Sequence, residues 1–496
     1  MEKNLKLLFV ASEAVPFAKV GGLADVVGAL TKSIKRLLPD SDVRLFIPFY
    51  KTVKEYFTDS SPGLKLTTNQ EIKIADRTIP FEVFEVTNDD VTCYFINQPS
   101  YFNRDGIYTD INTNLDYPDS LERFTFFSKA VLETCIKINF KPHIIQVNDW
   151  QTSLIPVYLK TNKNYGFFKE TKSVLLIHNL SYQGIFSIDQ FNITGIDWKY
   201  YNKDGLEFYG HLNLLKGGIV FSDCILTVSE TYAKEIQTVE YGNGLEDILH
   251  QKNLENKLFG IVNGVDYDEW DPSKDVYLKN RFSINYDIDS LENKKKIKEI
   301  FLKDYGIKDP DISKPLISII SRLVDQKGFD IIFQVIEEIV NLDSYFVVLG
   351  KGKKEYETKL KEIEKRFWGK VLSFTEFNIP LSHYIEAASD IFILPSRFEP
   401  CGLNQLYSLR YGTIPVARRT GGLADTLKDG ENAFLFDRYS PEDFLQALKK
   451  ATDIYRNQPE AWENMVVAGM KERWNWERSA RKYIEVYEKI LAPTNN

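Results

Sequence analysis

The sequence predicts two α/β domains, each built on a parallel sheet with helices on both faces. Three observations predict it. The chain has 496 residues, too many for one hydrophobic core and suited to two domains of about 200–250 residues. Short, continuously apolar runs alternate with helical patterns in both halves, as strands buried on both faces do. The phrase GGLAD occurs at Gly21–Asp25 and again at Gly421–Asp425, each time between a predicted strand and a predicted helix.

In the first half, the runs 5–12 (LKLLFVAS), 42–49 (DVRLFIPF), 143–149 (HIIQVND), 173–179 (SVLLIHN) and 224–229 (CILTVS) read as strands. The stretch 81–97 (FEVFEVTNDDVTCYFIN) differs: two alternating runs flank Asn88-Asp89-Asp90, the pattern of a hairpin. In the second half, 316–322 (LISIISR), 345–350 (YFVVLG), 391–396 (IFILPS) and 414–418 (IPVAR) read as strands. A turn-rich stretch, 258–273, separates the two series. The predicted domains are 1–260 and 261–471, with a last helical segment, 472–496. The charged segment 274–313 reads as helical, and its lysine run at Lys294–Lys296 as a solvated face.

Composition narrows the function. With 43% hydrophobic and 27% charged residues the chain has the make-up of an ordinary globular protein. A net charge of −8 argues against a general nucleic-acid binder. Cys93, Cys135, Cys224 and Cys401 have no CxxC spacing, which predicts neither a zinc site nor a disulfide framework and fits a reducing cytoplasm. No apolar run approaches the roughly 18 residues of a membrane span. The apolar start runs into Glu13, which favours a buried first strand over a signal peptide.

Glycine pairs at a strand-to-helix turn permit close approach to the backbone, and the helix start favours an anion. The first copy also carries Lys19 and lies beyond a first strand, the edge where open parallel sheets bind ligands. A tight turn and nothing more is the alternative. Neither copy has the GxGxxG spacing of a dinucleotide site or the GK[ST] of a P-loop.

Four further stretches carry chemistry. In 394–427 a strand ends at Pro395 and Glu399-Pro400-Cys401-Gly402-Leu403 leads into a helix, placing a carboxylate and backbone N–H groups at one sheet edge. In 321–330 (SRLVDQKGFD), Arg322 and Lys327 follow a strand end, where two cations suit a departing pyrophosphate. In 175–184 (LLIHNLSYQG), His178 ends an apolar strand, and in 147–154 (VNDWQTSL), Asp149 and Trp150 end another. No cluster has metal-ligand spacing, so neither metal nor cofactor is expected.

Together these motifs resemble the bacterial glycogen synthase and plant starch synthase family, glycosyltransferase family 5, over nearly the whole chain and in order. The resemblance implies the glycosyltransferase B fold: two Rossmann-like domains facing a cleft, with the last helix (472–491) crossing back to the first domain. It implies that Lys19, Gly21 and Gly22 lie over the phosphates and sugar of the donor, with Asp25 a weaker candidate. His178 matches the histidine near the donor glucose, Asp149 and Trp150 the pair beside it, and Asn263 the asparagine of VNGVD. Arg322 and Lys327 match the phosphate-binding cations. Glu399 matches the catalytic or sugar-orienting carboxylate, with backbone contacts from Cys401, Gly402 and Leu403. Tyr108 matches an acceptor-side tyrosine.

Some positions depart from the family pattern. Val20 stands where Thr or Ser is usual, and Gln151 where His is common. Tyr407 replaces the second Glu of many retaining transferases, as in the glycogen synthase branch. Glu376-Phe377 replaces Gly-Tyr, which bears on base preference, though Phe377 can stack. The implied activity is metal-independent, retaining transfer of glucose from ADP-glucose or UDP-glucose to the non-reducing end of an α-1,4-glucan. The implied setting is cytoplasmic, without nucleic-acid or membrane partners. A sucrose-forming transferase, a pyridoxal-phosphate phosphorylase and an inactive glucan-binding regulator are the alternatives. The complete motif set, the lack of an evident pyridoxal-phosphate lysine motif and the intact charged residues argue against them in turn.

Overall fold

The computed structural model describes residues 4–57, 63–111, 113 and 115–492. Of the expected segments, residues 1–3 and 493–496 lie outside the described residues. The chain divides into two compact units. Unit 1 holds the residues up to Val228, Ala233–Gly264 and the chain from Trp476 on; unit 2 holds Ser229–Tyr232 and Val265–Asn475.

Unit 1 contains twelve strands among the described residues: β1 (Lys6–Val10), β2 (Asp42–Pro48), β3 (Lys65–Ile74), β4 (Arg77–Asn88), β5 (Val91–Asn97), β6 (Ile144–Asn148), β7 (Lys172–Ile177), β8 (Ile185–Ser187), β9 (Glu207–Phe208), β10 (His211–Asn213), β11 (Cys224–Thr227) and β12 (Leu258–Gly260). Nine form one sheet in the order β12-β11-β7-β6-β1-β2-β5-β4-β3. It is parallel from β12 to β5, and β5-β4-β3 add an antiparallel edge. The expected buried first strand is β1, where Leu7, Leu8, Phe9 and Val10 are at most 1% exposed. The expected hairpin is β4-β5. β8, β10 and β9 form a separate small sheet.

Unit 2 contains β13 (Leu316–Ile320), β14 (Tyr345–Leu349), β15 (Val371–Phe374), β16 (Ile391–Leu394), β17 (Ile414–Arg418) and β18 (Phe434–Phe436), all parallel, in the order β15-β14-β13-β16-β17-β18. In each unit the strand order reverses beside the first strand: between β1 and β6 in unit 1, and between β13 and β16 in unit 2. A crevice opens at such a point because the flanking connections depart to opposite sides of the sheet.

The helix Gly22–Leu37 buries Leu23, Val26, Val27, Leu30 and Ile34, a 3–4 spacing that lays one face on the sheet. The terminal helix Trp476–Leu491 buries Trp476, Ala480, Tyr483 and Tyr487 at the same spacing. Within unit 1, Tyr487 Oη donates to Gln146 Oε1 at 2.5 Å and Ser479 Oγ to the Val262 carbonyl at 2.7 Å.

The lysine run departs from expectation. Lys295 and Lys296 are exposed, but Lys294 is buried in the helix Glu292–Asp304. Its ammonium donates to the Glu386 and Ala387 carbonyls and to Thr413 Oγ1 at 3.0–3.2 Å. Burial pushes it down to about 7. The nearby Lys298, also buried, donates to Asp390 Oδ2 at 2.6 Å and to two carbonyls. These ammonium groups close off carbonyls at chain reversals beside the sheet, so the face is a buried polar seam.

Candidate active site

In unit 1, Asp149, Trp150 and His178 lie at the carboxyl ends of β6 and β7, beside the reversal of strand order, and the chain after β1 leads to Lys19, Gly21 and Gly22; Tyr108 lies beyond β5 and Asn263 beyond β12. Asn148 ends β6, and its Nδ2 donates to the Val10 carbonyl at the end of β1, at 2.9 Å. That fixes the amide so that Oδ1 faces His178 Nε2 at 3.0 Å. Oδ1 can only accept, so Nε2 carries the proton and Nδ1 the lone pair. Burial pushes His178 down to about 3, so the imidazole is neutral near pH 7 and acts as a hydrogen-bonding group.

Asp149 has φ +53, an uncommon conformation for a non-glycine residue and one that functional sites retain. Its Oδ1 accepts from the His178 N–H at 2.7 Å, and the Asn179 N–H also donates to the carboxylate. Burial outweighs those bonds and pushes Asp149 up to about 7. Trp150 meets Phe124 and Phe186 edge-on at centroid distances of 5.1 and 5.7 Å. Gly184 lies so close to the indole that an added β-carbon would stand 2.5 Å from Trp150 Cε3.

The first glycine turn is open. A β-carbon on Gly21 or Gly22 would meet no heavy atom within 4 Å. Lys19 Nζ, on a largely exposed side chain, pairs with Asp25 Oδ1 at 2.8 Å. Tyr108 Oη donates to Glu13 Oε1 at 2.5 Å. Glu13 also accepts from the Val20 and Gly21 N–H groups. Sequence reasoning read Glu13 only as the end of an apolar run; its signal was an acid placed just past the first strand. Asn263, just beyond β12, is 5% exposed, and its Oδ1 is buried without a hydrogen-bond partner among the described residues. The Oε1 of Gln151 is buried in the same way.

In unit 2 the candidates follow β13 and β16, the adjacent strands at the second reversal. Lys327 Nζ meets Glu399 Oε2 at 2.5 Å, and Ser396 Oγ donates to the same oxygen at 3.0 Å. Glu399 is 5% exposed, so Lys327 and Ser396 offset the cost of burying its charge. The Arg397 N–H donates to the Gln326 carbonyl at 2.8 Å, which ties the two loops together. Arg322, on the loop after β13, is exposed. Cys401 is buried, Gly402 takes φ +74, and Leu403 leads into the helix Asn404–Arg410. Phe377 stands apart on the loop after β15 with 79% exposure.

The second GGLAD turn packs on this loop. The Gly422 N–H donates to the Glu399 carbonyl at 3.1 Å. Asp425 falls beyond the first turn of the helix Gly421–Thr426. It accepts from the Thr231 N–H and hydroxyl at 2.9 and 2.5 Å. At the position of the replaced second Glu, Tyr407 stacks on Trp270 with centroids 3.9 Å apart and rings 3° from parallel. Trp270 in turn stacks on His383, also at 3.9 Å.

Two Rossmann-like units with charged and sugar-binding types at their strand reversals define the glycosyltransferase B class. A sequence profile described as the starch synthase catalytic domain matches residues 6–251, and one described as glycosyl transferases group 1 matches 306–466. A glycogen synthase of Desulforudis audaxviator is 42% identical, covering 99% of this chain and 97% of that protein. One from Thermosipho africanus is also 42% identical, over 98% and 99%. The catalytic domain of starch synthase IV from Arabidopsis thaliana, bound to ADP and acarbose, superposes with a TM-score of 0.88 at 31% identity, covering 99% of this chain and 100% of that one. The chain belongs to the glycogen synthase and starch synthase family and is a glucosyltransferase. Sucrose-phosphate synthase from Thermosynechococcus elongatus, at 14% identity and a TM-score of 0.60, shares the fold alone.

Among the described residues, no group of three or more His, Cys, Asp or Glu side chains is placed to hold a metal ion, and no helix is long and apolar enough to cross a membrane.

Proposed function

We propose that the protein extends an α-1,4-glucan at its non-reducing end with glucose from ADP-glucose, retaining the anomeric configuration. The observation that carries this reading is the Lys327–Glu399 pair at the reversal of the unit 2 sheet, in a chain whose starch synthase relative binds ADP. Arg322 and Lys327 meet the negative charge that grows on the leaving diphosphate. Fixed cations aimed at developing charge are worth more in the transition state than in the ground state. Glu399, held by Lys327 and Ser396, orients the sugar and steadies its positive character. Phe377 stacks on the base, and backbone groups of Cys401, Gly402 and Leu403 complete the donor contacts.

In unit 1, neutral His178 offers hydrogen bonds to the glucose hydroxyls. Its backbone is held by Asp149, whose high pKa suits an exchange of protons near neutral pH. Lys19, Gly21, Gly22 and Asn263 serve the donor, and Asn263 Oδ1 has an unfilled acceptor for a hydroxyl. Tyr108 and Trp150 serve the glucan, Trp150 by stacking. Among the described residues no side chain is set up as a covalent nucleophile, which favours attack on the same face as departure. The four cysteines are free and buried, which supports a cytoplasmic setting.

Release of ADP from ADP-glucose with glycogen present tests the reading, with UDP-glucose in parallel. Glycogen-dependent release is expected. Release independent of glycogen, or none from either donor, overturns it.

A further inference from the structure

A buried carboxylate is costly unless hydrogen bonds meet its charge. Glu13, just past β1, is 3% exposed, and no cation pairs with it among the described residues. Its Oε2 accepts from the N–H groups of Val20 and Gly21, the latter at 3.0 Å. Its Oε1 accepts from Tyr108 Oη at 2.5 Å, and Tyr108 Oη lies 2.7 Å from Ser12 Oγ. Burial favours the neutral acid, and the three donors pull the other way.

Side-chain packing does little to hold the turn that Glu13 grips. The Val20 side chain is exposed, and the space beside Gly21 and Gly22 is empty. One carboxylate therefore joins the turn bearing Lys19 to the loop bearing Tyr108.

We infer that Glu13 is a positioning residue: it pins the Val20–Gly21 backbone so that Lys19 and Gly22 are presented to the donor, and it couples that geometry to the Tyr108 hydroxyl on the acceptor side. The inference rests on the proposed roles of Lys19 and Tyr108.

Its test follows from hydrogen-bond polarity. Glu13→Gln keeps the shape: its amide oxygen accepts from Val20 and Gly21, while its NH2 donates to Tyr108 Oη, which then donates to Ser12. Glu13→Ala removes every bond. Deuterium exchange over residues 19–23, thermal melts and steady-state kinetics with ADP-glucose and glycogen are measured on both variants and on Tyr108→Phe. In Glu13→Ala, exchange should quicken at this segment alone and kcat should fall about 10²-fold, the scale of a small misplacement of reacting groups. Glu13→Gln should stay within about tenfold of wild type and keep the slow exchange. Tyr108→Phe should raise the KM for glycogen and quicken exchange at the same segment. Unchanged exchange or unchanged kcat in Glu13→Ala overturns the inference. So does loss of exchange protection throughout β1, which marks a merely structural role. A wild type that releases no ADP overturns the functional reading alone, and the exchange measurement still judges the tether.

Discussion

A β-carbon on Gly21 or Gly22 meets nothing within 4 Å, whereas one on Gly421 would stand 1.9 Å from the Glu399 carbonyl oxygen and one on Gly422 2.1 Å from that of Cys401. The same five residues follow a strand and open a helix in both places. In unit 1 the glycines leave an open backbone surface, and a side chain, Glu13, holds the turn from behind. In unit 2 the missing side chains let the turn press backbone to backbone against the loop carrying Glu399. The aspartates differ likewise: Asp25 pairs with Lys19, while Asp425 caps Thr231. The letters place a strand-to-helix turn in both copies, but Gly21 takes φ −143 and Gly421 φ +44, and the neighbour decides whether the turn stays open or packs on a loop.

The largest effect expected is at the packed copy. Gly421 takes φ +44, so Gly421→Ala combines a clash with backbone strain and should cost about 3 kcal/mol or more. Gly22→Ala, at an open helix start, should change stability by less than about 1 kcal/mol yet lower turnover. Urea melts of both variants check this; equal losses would erase the distinction between the copies.

Next come the charges beside the packed copy. Arg322→Ala and Lys327→Ala should each lower kcat by at least about 10²-fold, as loss of preorganised charge stabilisation does. Near-normal turnover in both would remove them from the chemistry.

A smaller effect sharpens the comparison residue by residue. Lys19 and Arg419 stand at the same place before their glycine pairs. Lys19→Ala should leave ADP affinity within about tenfold, or about 1.4 kcal/mol, while turnover falls further, because the contact matters most as the bond breaks. Arg419 pairs with Asp437 at 2.9 Å on an exposed surface, so Arg419→Ala should shift stability by less than about 1 kcal/mol and spare turnover. Calorimetric ADP titration and kinetics on the two variants decide.

Protonation at the unit 1 reversal gives a gentler signature. Asp149 is raised to about 7, so the folded state binds more protons than the unfolded chain between about 4 and 7, and stability falls as pH rises across that window. His178 is lowered to about 3, so its contribution is complete above about 6.5 and is lost as pH falls toward 3. Asp149→Asn should therefore melt with a less negative pH slope between about 4 and 7 than wild type. A slope equal to that of wild type would show that Asp149 ionises freely. The smallest effect is none: with two cations proposed to meet the leaving group, activity should survive excess EDTA, and a loss restored by Mg²⁺ would show that the phosphate site was misread.

The sequence by itself determined the parallel strands β1, β2, β6, β7, β11, β13, β14, β16 and β17, the hairpin at β4-β5, a strand-to-helix turn at each GGLAD and the motifs that place the chain in its family. Those features are local: continuous apolar runs and short glycine phrases carry their own conformational preference. It did not show β3, whose alternating polar residues are largely exposed, nor β9, a two-residue strand that exists only by pairing with β10. Nor did it show Lys294, because a lysine's burial depends on carbonyls roughly a hundred residues away, at Glu386 and Ala387. Glu13 was visible but mute, since its meaning lies in Val20, Gly21 and Tyr108 arriving around it. Only the tertiary structure separated the two GGLAD turns. Their difference lies in whether the Glu399 loop fills the space over the glycines, and a short phrase carries no information about what long-range packing will set beside it.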